Sequence, residues 1–336
     1  MIADPLAERL HRAVLNLLPA PPDEPDLAHF ASLMREYPSR GGKRMRGKLV
    51  IRSTAAHGGD SDAALVVAAA LELFQNWVLV HDDIEDDSEE RRGAPALHRM
   101  VGVPLALNVG DAMHVYMWEA LLGLSSRPGF DADAIRREFV WMIHRTAEGQ
   151  HLDLTWMAGE RFDIGEEAYL EMVRRKTAAY TVVGPLRLGA YASGRLPHPD
   201  LASIGERLGA AFQIRDDVLN LLPADGGAYG KEFAGDLYEG KRTLVLAHAL
   251  ANAPADEARE AIARLRPPRQ LRTPEDVRWL LSLVERRGSL RYAQARAEAL
   301  ADGALQELEE VVAELPGKDA ARGLVDDLRA LTRRVA

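Results

Sequence analysis

The sequence contains no cysteine, few aromatic residues and no excess of positive charge. Without cysteine, the chain has no disulfide scaffold, cysteine-ligated zinc, iron–sulfur cluster or cysteine nucleophile. The formal net charge is −9, with 51 acidic residues against 42 Lys and Arg, whereas general nucleic-acid-binding proteins usually carry an excess of basic residues. We therefore expect no nucleic-acid partner, although a local basic patch for a small anion is compatible with this composition.

Long uninterrupted apolar runs are also missing. The most apolar stretch, residues 63–80, contains Glu72, Gln75 and Asn76 and leads into a dense acidic cluster, which argues against a membrane span. The first residues include early acids and lack the basic-then-apolar order of a signal peptide. We expect a cytoplasmic protein without a transmembrane segment.

Strand signals are scarce, and the apolar periodicity is helical almost throughout. Apolar residues recur at intervals of three and four, as in residues 65–80 and 204–215. Asn-Gly or Asp-Gly turns between β-rich runs are absent. The sequence predicts one large all-α domain, residues 1–336, with roughly ten to fourteen helices. Residues 1–28 are interpreted as an N-terminal helix and a proline-rich loop.

Helix boundaries are marked by capping residues and prolines. Thr273, followed by a proline and two acids, predicts an N-cap and first turn. Asp163, with Glu166 three residues later, predicts a capping box. A Gly-Ser pair at 288–289 predicts the end of one helix and the start of the next, and a Pro-Pro pair at 267–268 predicts a break.

An acidic segment follows the apolar stretch that ends at residue 80. Asp82 and Asp86 lie one helical turn apart, and Asp83 flanks them. Like charges at this spacing are destabilising unless cations compensate, and either the following Arg91 and Arg92 or divalent ions would do so. By itself the segment is as compatible with a solvated helix end as with a metal site.

A second acidic pair, Asp216 and Asp217, again follows an apolar helical stretch, with Asn220 four residues after the first acid. Two such pairs in one all-α chain predict a metal site between facing helices. Oxygen ligands without His or Cys favour Mg²⁺, which usually takes its other ligands from water and substrate phosphates. The paired segments therefore indicate a substrate that carries a polyphosphate.

Basic residues form a third motif in a glycine-flanked segment, residues 41–47, which contains Lys43, Arg44 and Arg46. Arg and Lys bind phosphate oxygens, and glycines let the backbone approach, but the spacing is not that of a P-loop. A surface loop is the alternative interpretation. Further cations, at positions such as Lys176 and Lys241, favour two anion sites: one bridged by metal and one held by cations alone.

In this order, the motifs resemble those of the trans-isoprenyl diphosphate synthases, the polyprenyl synthetase family. The resemblance covers nearly the whole chain, from the basic segment to the closing helices at 288–334. It implies an all-α helical bundle of the isoprenoid synthase type with a central substrate cavity. It also implies an Mg²⁺-dependent prenyltransferase that condenses isopentenyl diphosphate head-to-tail with an allylic diphosphate, and a homodimer.

The resemblance assigns a role to each matching residue. Three Mg²⁺ ions on the allylic diphosphate would be held directly or through water by Asp82, Asp83, Asp86, Asp216, Asp217 and Asn220. That diphosphate would also contact Arg91, Lys176, Lys231 and Lys241. Isopentenyl diphosphate would be bound without metal by Lys43, Arg46, Gln75 and Arg92, with Phe212 packed nearby. Catalysis near the carbocation would involve Lys176, Thr177 and Gln213.

Three positions depart from the family pattern. Gly47 stands where many relatives carry Pro, Gln75 where many bacterial relatives carry His, and Asn220 in place of the third aspartate of the second motif. These differences affect the assignment of a subtype more than that of the activity.

Product length depends on bulky residues shortly before the first acidic motif. Trp77 lies five residues, or about 7 Å of helical rise, before Asp82, with Phe74 deeper and the smaller Val78 beside it. As a tunnel floor, this set favours a twenty-carbon product, geranylgeranyl diphosphate, with farnesyl diphosphate next and longer polyprenyl products as a further alternative. Simple core packing is the other interpretation of Trp77.

Other classes of protein fit the sequence less well. A class I terpene cyclase has no need of a second diphosphate site, and a head-to-head synthase has different motifs. A non-catalytic subunit of a hetero-oligomeric synthase tends to lose one aspartate motif, and both are present here. An EF-hand would need a central glycine and alternating ligands that residues 82–93 lack.

Overall fold

The computed structural model describes residues 4–126, 129–222 and 232–333, most of which are helical. The α-helices are α1 (Pro5–Leu17), α2 (Pro25–Ser39), α3 (Met45–Ala56), α4 (Leu65–Glu85), α5 (Leu97–Val101), α6 (Val103–Leu122), α7 (Ala132–Ala158), α8 (Glu166–Val173), α9 (Gly184–Ala192), α10 (Leu201–Asn220), α11 (Gly235–Glu239), α12 (Leu244–Ala251), α13 (Ala255–Leu265), α14 (Pro274–Arg286), α15 (Ser289–Ala313) and α16 (Lys318–Thr332). A π-helix spans Arg174–Val183, and 3₁₀ turns span Gly123–Ser126 and Arg269–Leu271. The two strands, β1 (Glu90–Arg91) and β2 (Ala94–Pro95), form a small antiparallel hairpin.

The predicted all-α class is confirmed. The described part of the chain holds sixteen α-helices, more than the number expected, because breaks leave short helices such as α5 and α11. The N-terminal helix expected within residues 1–28 is α1, and the proline-rich loop lies between the end of α1 at Leu17 and the start of α2 at Pro25, where this proline occupies the first turn. The assignment of residues 1–336 to one domain stays a prediction.

Most of the predicted helix boundaries are confirmed. Thr273 Oγ1 accepts a bond of 3.2 Å from the Asp276 N–H, and Asp276 Oδ2 accepts one of 3.0 Å from the Thr273 N–H, so a capping box begins α14. The breaks at 267–268 and 288–289 also lie between helices. The capping box at Asp163 was wrong, because α8 begins at Glu166 and Asp163 instead pairs with Arg161 at 2.6 Å.

Two helices carry the acidic motifs at their C-terminal ends. Helix α4 packs against α1, α3 and α6, and α10 packs against α15 and the π-helix. Large apolar side chains such as Phe74 and Leu208 are fully buried along them. Burying one such side chain contributes about 1.5–3 kcal/mol, so the core anchors each helix firmly up to its acidic end.

Helix α4 is long and apolar enough, by length and composition alone, to cross a membrane. Of its most apolar window, 56% is buried inside the protein against neighbouring helices. Core helices pass the same length and hydropathy test, and the burial of α4 matches that explanation.

Candidate active site

A cavity of about 730 Å³ lies between the two acidic helix ends. It brings together most of the residues that the sequence singled out, from every motif. They are Lys43, Arg46, Phe74, Gln75, Trp77, Val78, Asp82, Arg91, Arg92, Lys176, Thr177, Phe212, Gln213, Asp216, Asp217 and Lys241. Asp83, Asp86 and Asn220 are not among the lining residues, and Lys231 lies outside the described residues.

Two lysines pair with the first acidic motif. Lys176 Nζ lies 3.4 Å from Asp82 Oδ1 and 2.7 Å from Asp153 Oδ2. Burial alone would lower the pKa of Lys176, but the carboxylates of Asp153 and Asp82 raise it above its usual range. Lys241 Nζ lies 2.7 Å from Asp86 Oδ2 and 2.9 Å from Glu239 Oε2. Burial alone would lower the pKa of Lys241, but these two carboxylates raise it well above its usual range. Both lysines therefore stay cationic and face the place where an anionic substrate would sit.

Asp86 is a buried carboxylate whose negative charge is balanced mainly by Lys241. Burial raises its pKa to about 7; the Lys241 ammonium opposes this shift and Asp82 adds to it. A carboxylate with a raised pKa gains most from an added positive charge. Asp86 is thus suited to a cationic ligand, although its side chain does not line the cavity in this structure.

The second aspartate of each motif is held by protein donors. Tyr37 Oη donates a bond of 2.5 Å to Asp83 Oδ2, and Arg91 Nε donates one of 2.9 Å to Asp83 Oδ1. Tyr169 Oη donates a bond of 2.6 Å to Asp217 Oδ2. Burial, with Asp236 nearby, raises the pKa of Asp217 to about 8.

Asn220 is likewise engaged within the protein. Its Oδ1 accepts a bond of 3.0 Å from the Asp236 N–H, which fixes the start of α11. The structure therefore gives Asp83 and Asn220 partners other than the predicted metal, because their oxygens are already bonded away from the cavity. Asp217 lines the cavity, but both of its oxygens also accept bonds from protein donors.

A tight hairpin aims the two neighbouring arginines. Arg92 and Gly93 are its two central residues, with φ of 55° and 73°, as a type I′ turn requires. Arg91 reaches back to Asp83 and lies 3.6 Å from Asp82. Arg92 Nη1 instead donates a bond of 2.7 Å to the Tyr37 carbonyl. The sequence did not predict this turn, because Arg-Gly replaces the usual Asn-Gly.

A cluster of arginines forms the other side of the cavity. Burial, reinforced by the neighbouring Arg44, lowers the pKa of Arg92 to about 10. Glu72 is the buried acid nearest this cluster, 3.9 Å from Arg44. Arg46 stacks on the Tyr180 ring, 4.5 Å from its centroid. This excess of positive charge, on one buried and two partly buried arginines, favours an anion and needs no metal to hold it.

The π-helix carries the residues predicted to be catalytic. Thr177 Oγ1 donates a bond of 2.8 Å to Gln213 Oε1, and Gln213 Nε2 donates one of 2.7 Å to Asp217 Oδ1. Helix α7 crosses closely at Gly149, where a Cβ atom would lie 2.2 Å from the Lys176 nitrogen. Glycine is needed there because any side chain would push the π-helix away. π-Helical segments often mark functional sites, as here.

Aromatic rings line the apolar end of the cavity. Trp77 meets Phe74 edge-on at 5.5 Å between centroids and stacks on His114 of α6 at 4.1 Å. Phe74 in turn meets Tyr180 at 5.4 Å. Trp77 therefore both lines the cavity and packs against the neighbouring helix, and Phe74 lies one turn deeper.

Some lining residues were not singled out from the sequence. Asp236 and Arg242 flank Lys241 and line the cavity. Burial, with Arg272 nearby, lowers the pKa of Arg242 to about 10. The signal was a set of charged residues next to the apolar segment 244–247. Tyr37 and Tyr169 left no such signal, because single tyrosines fit any core helix.

The donor set fits a hard divalent cation that arrives with a phosphate ligand. No group of three or more His, Asp or Glu side chains in the described ranges is placed to hold a metal by itself. The acids of the two motifs instead offer single oxygen donors from opposite helices. Mg²⁺ commonly binds in this way, through one or two carboxylates together with substrate phosphates and water.

Comparisons with known proteins define the class. A model of the polyprenyl synthetase family matches residues 28–284. The chain is 36% identical over 262 residues to the short chain isoprenyl diphosphate synthase of Methanothermobacter thermautotrophicus, covering 76% of this chain and 77% of that protein. This protein therefore belongs to the polyprenyl synthetase family.

More particular relatives point in the same direction. The geranylgeranyl diphosphate synthase of Saccharolobus solfataricus is 33% identical over 281 residues, covering 81% of this chain and 80% of that protein. The crystal structure of geranylgeranyl pyrophosphate synthase from Corynebacterium glutamicum, complexed with isoprenyl diphosphate and magnesium, is similar with a TM-score of 0.87. It is 28% identical and covers 100% of both chains.

Proposed function

We propose that this protein is a trans-prenyltransferase that condenses isopentenyl diphosphate head-to-tail with an allylic diphosphate, forming geranylgeranyl diphosphate. The observation that carries the proposal is the division of one cavity into two anion sites. One side pairs carboxylates with lysines, and the other holds arginines with little negative charge. A reaction between two diphosphate esters needs both.

The acidic side would bind the allylic diphosphate. Asp82, Asp86 and Asp216 would hold Mg²⁺, which when bound neutralises charge that develops on the leaving diphosphate. Lys176 and Lys241 would contact the same phosphate oxygens, and their raised pKa values keep both ammonium groups charged. Cations fixed at the leaving group stabilise the transition state more than the ground state. The number of ions, three by the family resemblance, is part of this proposal.

The arginine side would orient isopentenyl diphosphate. Arg46 and Arg92 are fixed by Thr181 and the Tyr37 carbonyl, so little side-chain entropy is lost when the anion binds. Lys43 lies at the exposed rim of the cavity, and Gln75 lines it. Holding the second substrate here places its double bond next to the allylic carbon, which lowers the entropic part of the barrier.

The residues between the two sites would stabilise the allylic cation. Loss of diphosphate breaks the allylic C–O bond, the isopentenyl double bond forms the new C–C bond, and a proton then leaves the product cation. The oxygens of Thr177 and Gln213 would act as dipoles toward this cation, and the bond between the two side chains holds them in place at the cavity wall. Aromatic and aliphatic walls further along exclude water, which would otherwise quench the cation.

Trp77 would end elongation at twenty carbons. It lies on the cavity wall one to two turns before Asp82, with its ring held between Phe74 and His114. The names of the two similar synthases above, one short chain and one geranylgeranyl, support this length. Farnesyl and longer products are the alternatives that the experiment below separates.

A homodimer is part of the proposal. Helix α6 exposes several large apolar side chains to solvent, and Leu107, Val115 and Leu122 recur at intervals of eight and seven, along one face. Such a face is typical of an interface. The cytoplasmic location expected from the sequence stays a prediction.

A product assay tests the proposed reaction. The purified protein is incubated with Mg²⁺, isopentenyl diphosphate and, separately, dimethylallyl, geranyl or farnesyl diphosphate; the products are hydrolysed and the alcohols sized by chromatography. We expect a dominant twenty-carbon alcohol, and turnover lower by orders of magnitude for Asp82→Ala and Asp216→Ala. A longer alcohol would keep the reaction and refute the role of Trp77. A cyclic hydrocarbon without isopentenyl consumption would refute the reaction itself.

A further inference from the structure

Two buried tyrosines hold the two acidic motifs in the same way. Tyr37 of α2 donates its hydroxyl hydrogen to Asp83 at 2.5 Å, and Tyr169 of α8 donates its own to Asp217 at 2.6 Å. Each tyrosine is 1% exposed and comes from a helix other than the one that carries its aspartate. The proposed reaction assigns no role to either hydroxyl.

The bonds are short, so they fix the carboxyl groups firmly. Their lengths of 2.5 and 2.6 Å lie at the short end of the range for O–H···O bonds. Each aspartate has a second donor as well: Arg91 for Asp83 and Gln213 for Asp217. Asp83 is therefore turned into the protein, and Asp217 lines the cavity with both of its oxygens already bonded. The first aspartates, Asp82 and Asp216, also line the cavity.

Tyr37 also connects the two anion sites. Its hydroxyl accepts a bond of 2.9 Å from the Leu97 N–H, which ties it to the start of α5. Its main-chain carbonyl accepts a bond from Arg92 on the isopentenyl side. The hydroxyl thus supports Asp83 and Arg91 on the allylic side, and the carbonyl supports Arg92 on the other.

Tyr169 sits at the end of a chain of side-chain bonds. Thr177 donates to Gln213, Gln213 donates to Asp217, and Tyr169 closes the chain from the opposite side. Loss of the Tyr169 hydroxyl would leave Asp217 held by the bond from Gln213, so both side chains would be fixed less firmly.

We propose that Tyr37 and Tyr169 are positioning residues that fix the second aspartate of each motif, so that the first aspartate is presented to the metal-bound diphosphate. This inference rests on the proposed function of the cavity. It revises the metal roles that the sequence suggested for Asp83 and Asp217, which become anchors. Removing a hydrogen-bonded partner of a metal ligand commonly lowers metal affinity by about 10–100-fold. The tyrosines act one step further out, through the anchoring aspartates, so we expect an effect at the lower end of this range.

Tyr37→Phe and Tyr169→Phe test the proposal, because each removes one hydroxyl and keeps the ring. The matched control is Tyr292→Phe, since Tyr292 also donates to a carboxylate, that of Glu166, at an exposed position outside the cavity lining. Binding of Mn²⁺, a stand-in for Mg²⁺, is measured by electron paramagnetic resonance in the presence of inorganic pyrophosphate. Thermal unfolding of each variant is recorded alongside.

We expect about tenfold weaker Mn²⁺ binding for both variants, with the control unchanged. Tyr37→Phe should also raise the KM for the allylic diphosphate and leave that for isopentenyl diphosphate unchanged, because the carbonyl that supports Arg92 remains. General damage to the fold would not separate the two KM values. Wild-type Mn²⁺ binding in a folded variant would overturn the proposal for that tyrosine.

The two tyrosines lie on separate helices, so if one variant fails to fold, Mn²⁺ binding by the other variant still tests the proposal. The binding measurement also separates this inference from the proposed function. A wild-type protein that binds Mn²⁺ with pyrophosphate but forms no prenyl product would refute the reaction. The comparison between variants would then still show whether the tyrosines position the acids.

Discussion

Single side chains around the cavity show how far spacing alone can locate a site. The aspartates, lysines and arginines form short motifs with characteristic spacing, and most of them line one cavity. Tyr37 and Tyr169 could not be found in this way, since their aspartate partners lie 46 and 48 residues away. Such contacts arise from packing between helices, which local spacing does not encode.

Trp77→Ala tests the tunnel floor. Removal of the indole extends the cavity towards Phe74, so we expect longer products in the chromatographic assay. Trp141→Ala serves as the control, because Trp141 is a partly buried tryptophan of the same core that does not line the cavity. Both rings are partly buried, so each change should cost less than the roughly 3–5 kcal/mol that removal of a fully buried ring costs. An unchanged product length would assign Trp77 to core packing alone.

The raised pKa of the buried Glu138 should make the stability of the fold depend on pH. Burial, opposed by Arg187 at 3.0 Å, raises its pKa to about 7 from 4.5. Between these values the folded state keeps a proton that the unfolded state releases, so stability falls as pH rises from 4.5 to 7, by about 3 kcal/mol. Glu138→Gln should remove this loss.

Chemical unfolding at pH 4 and pH 8 checks the Glu138 prediction. We expect Glu138→Gln to be the more stable protein at pH 8, with little difference at pH 4. The exposed Glu285→Gln is the control and should follow the wild-type profile. Parallel pH profiles for Glu138→Gln and the wild type would contradict the assignment.

Among helices and turns, features that depend on neighbouring residues were predictable from the sequence, and features that depend on distant contacts were not. The capping box at Thr273 followed from three adjacent residue types, because capping is a local interaction. The Arg92–Gly93 turn did not, since arginine rarely adopts a positive φ. Its conformation is stabilised by distant partners, Asp83 for Arg91 and the Tyr37 carbonyl for Arg92.

The crossing of α7 and the π-helix gives a prediction for Gly149→Ala. The added methyl group would meet the Lys176 backbone at 2.2 Å, so the two elements must separate. Overpacking of this kind typically costs about 1–3 kcal/mol, and the shift of Lys176 should also lower kcat. Unfolding and turnover are measured together.

Gly303→Ala is the control for this substitution. Gly303 lies within α15, and nothing lies within 4 Å of an added Cβ. Alanine there should stabilise the helix by about 0.5–1 kcal/mol and leave turnover unchanged. A Gly149→Ala protein with wild-type stability and turnover would show that the close crossing is not required.

At the scale of the whole molecule, helical periodicity predicts the fold class, but it does not predict which surfaces bind a partner. Apolar residues at intervals of three and four predicted the all-α class, and the core clusters bury them. The exposed apolar face of α6 was not predicted, because the same periodicity describes a helix with either face buried. Which face is covered depends on tertiary packing.

Val115→Asp tests whether the α6 face forms the dimer. Val115 is 63% exposed, so a charge there should disturb the monomer little and disrupt an apolar interface strongly. We expect sedimentation analysis to show a dimer for the wild type and a monomer for Val115→Asp. Leu196→Asp, at an 82% exposed position outside α6, should remain dimeric. A monomeric wild type would refute the homodimer.

The lysine–aspartate pairs at the cavity have a thermodynamic consequence. While Lys176 and Lys241 neutralise Asp82 and Asp86, a metal ion alone must compete with both ammonium groups, and a diphosphate alone must compete with both carboxylates. When both bind, the metal ion pairs with the carboxylates that the lysines release, and the diphosphate pairs with the lysines. The two affinities are therefore coupled: the bound metal must raise the affinity for diphosphate by the same factor by which bound diphosphate raises the affinity for the metal. Titration of either one at several fixed concentrations of the other would measure this factor.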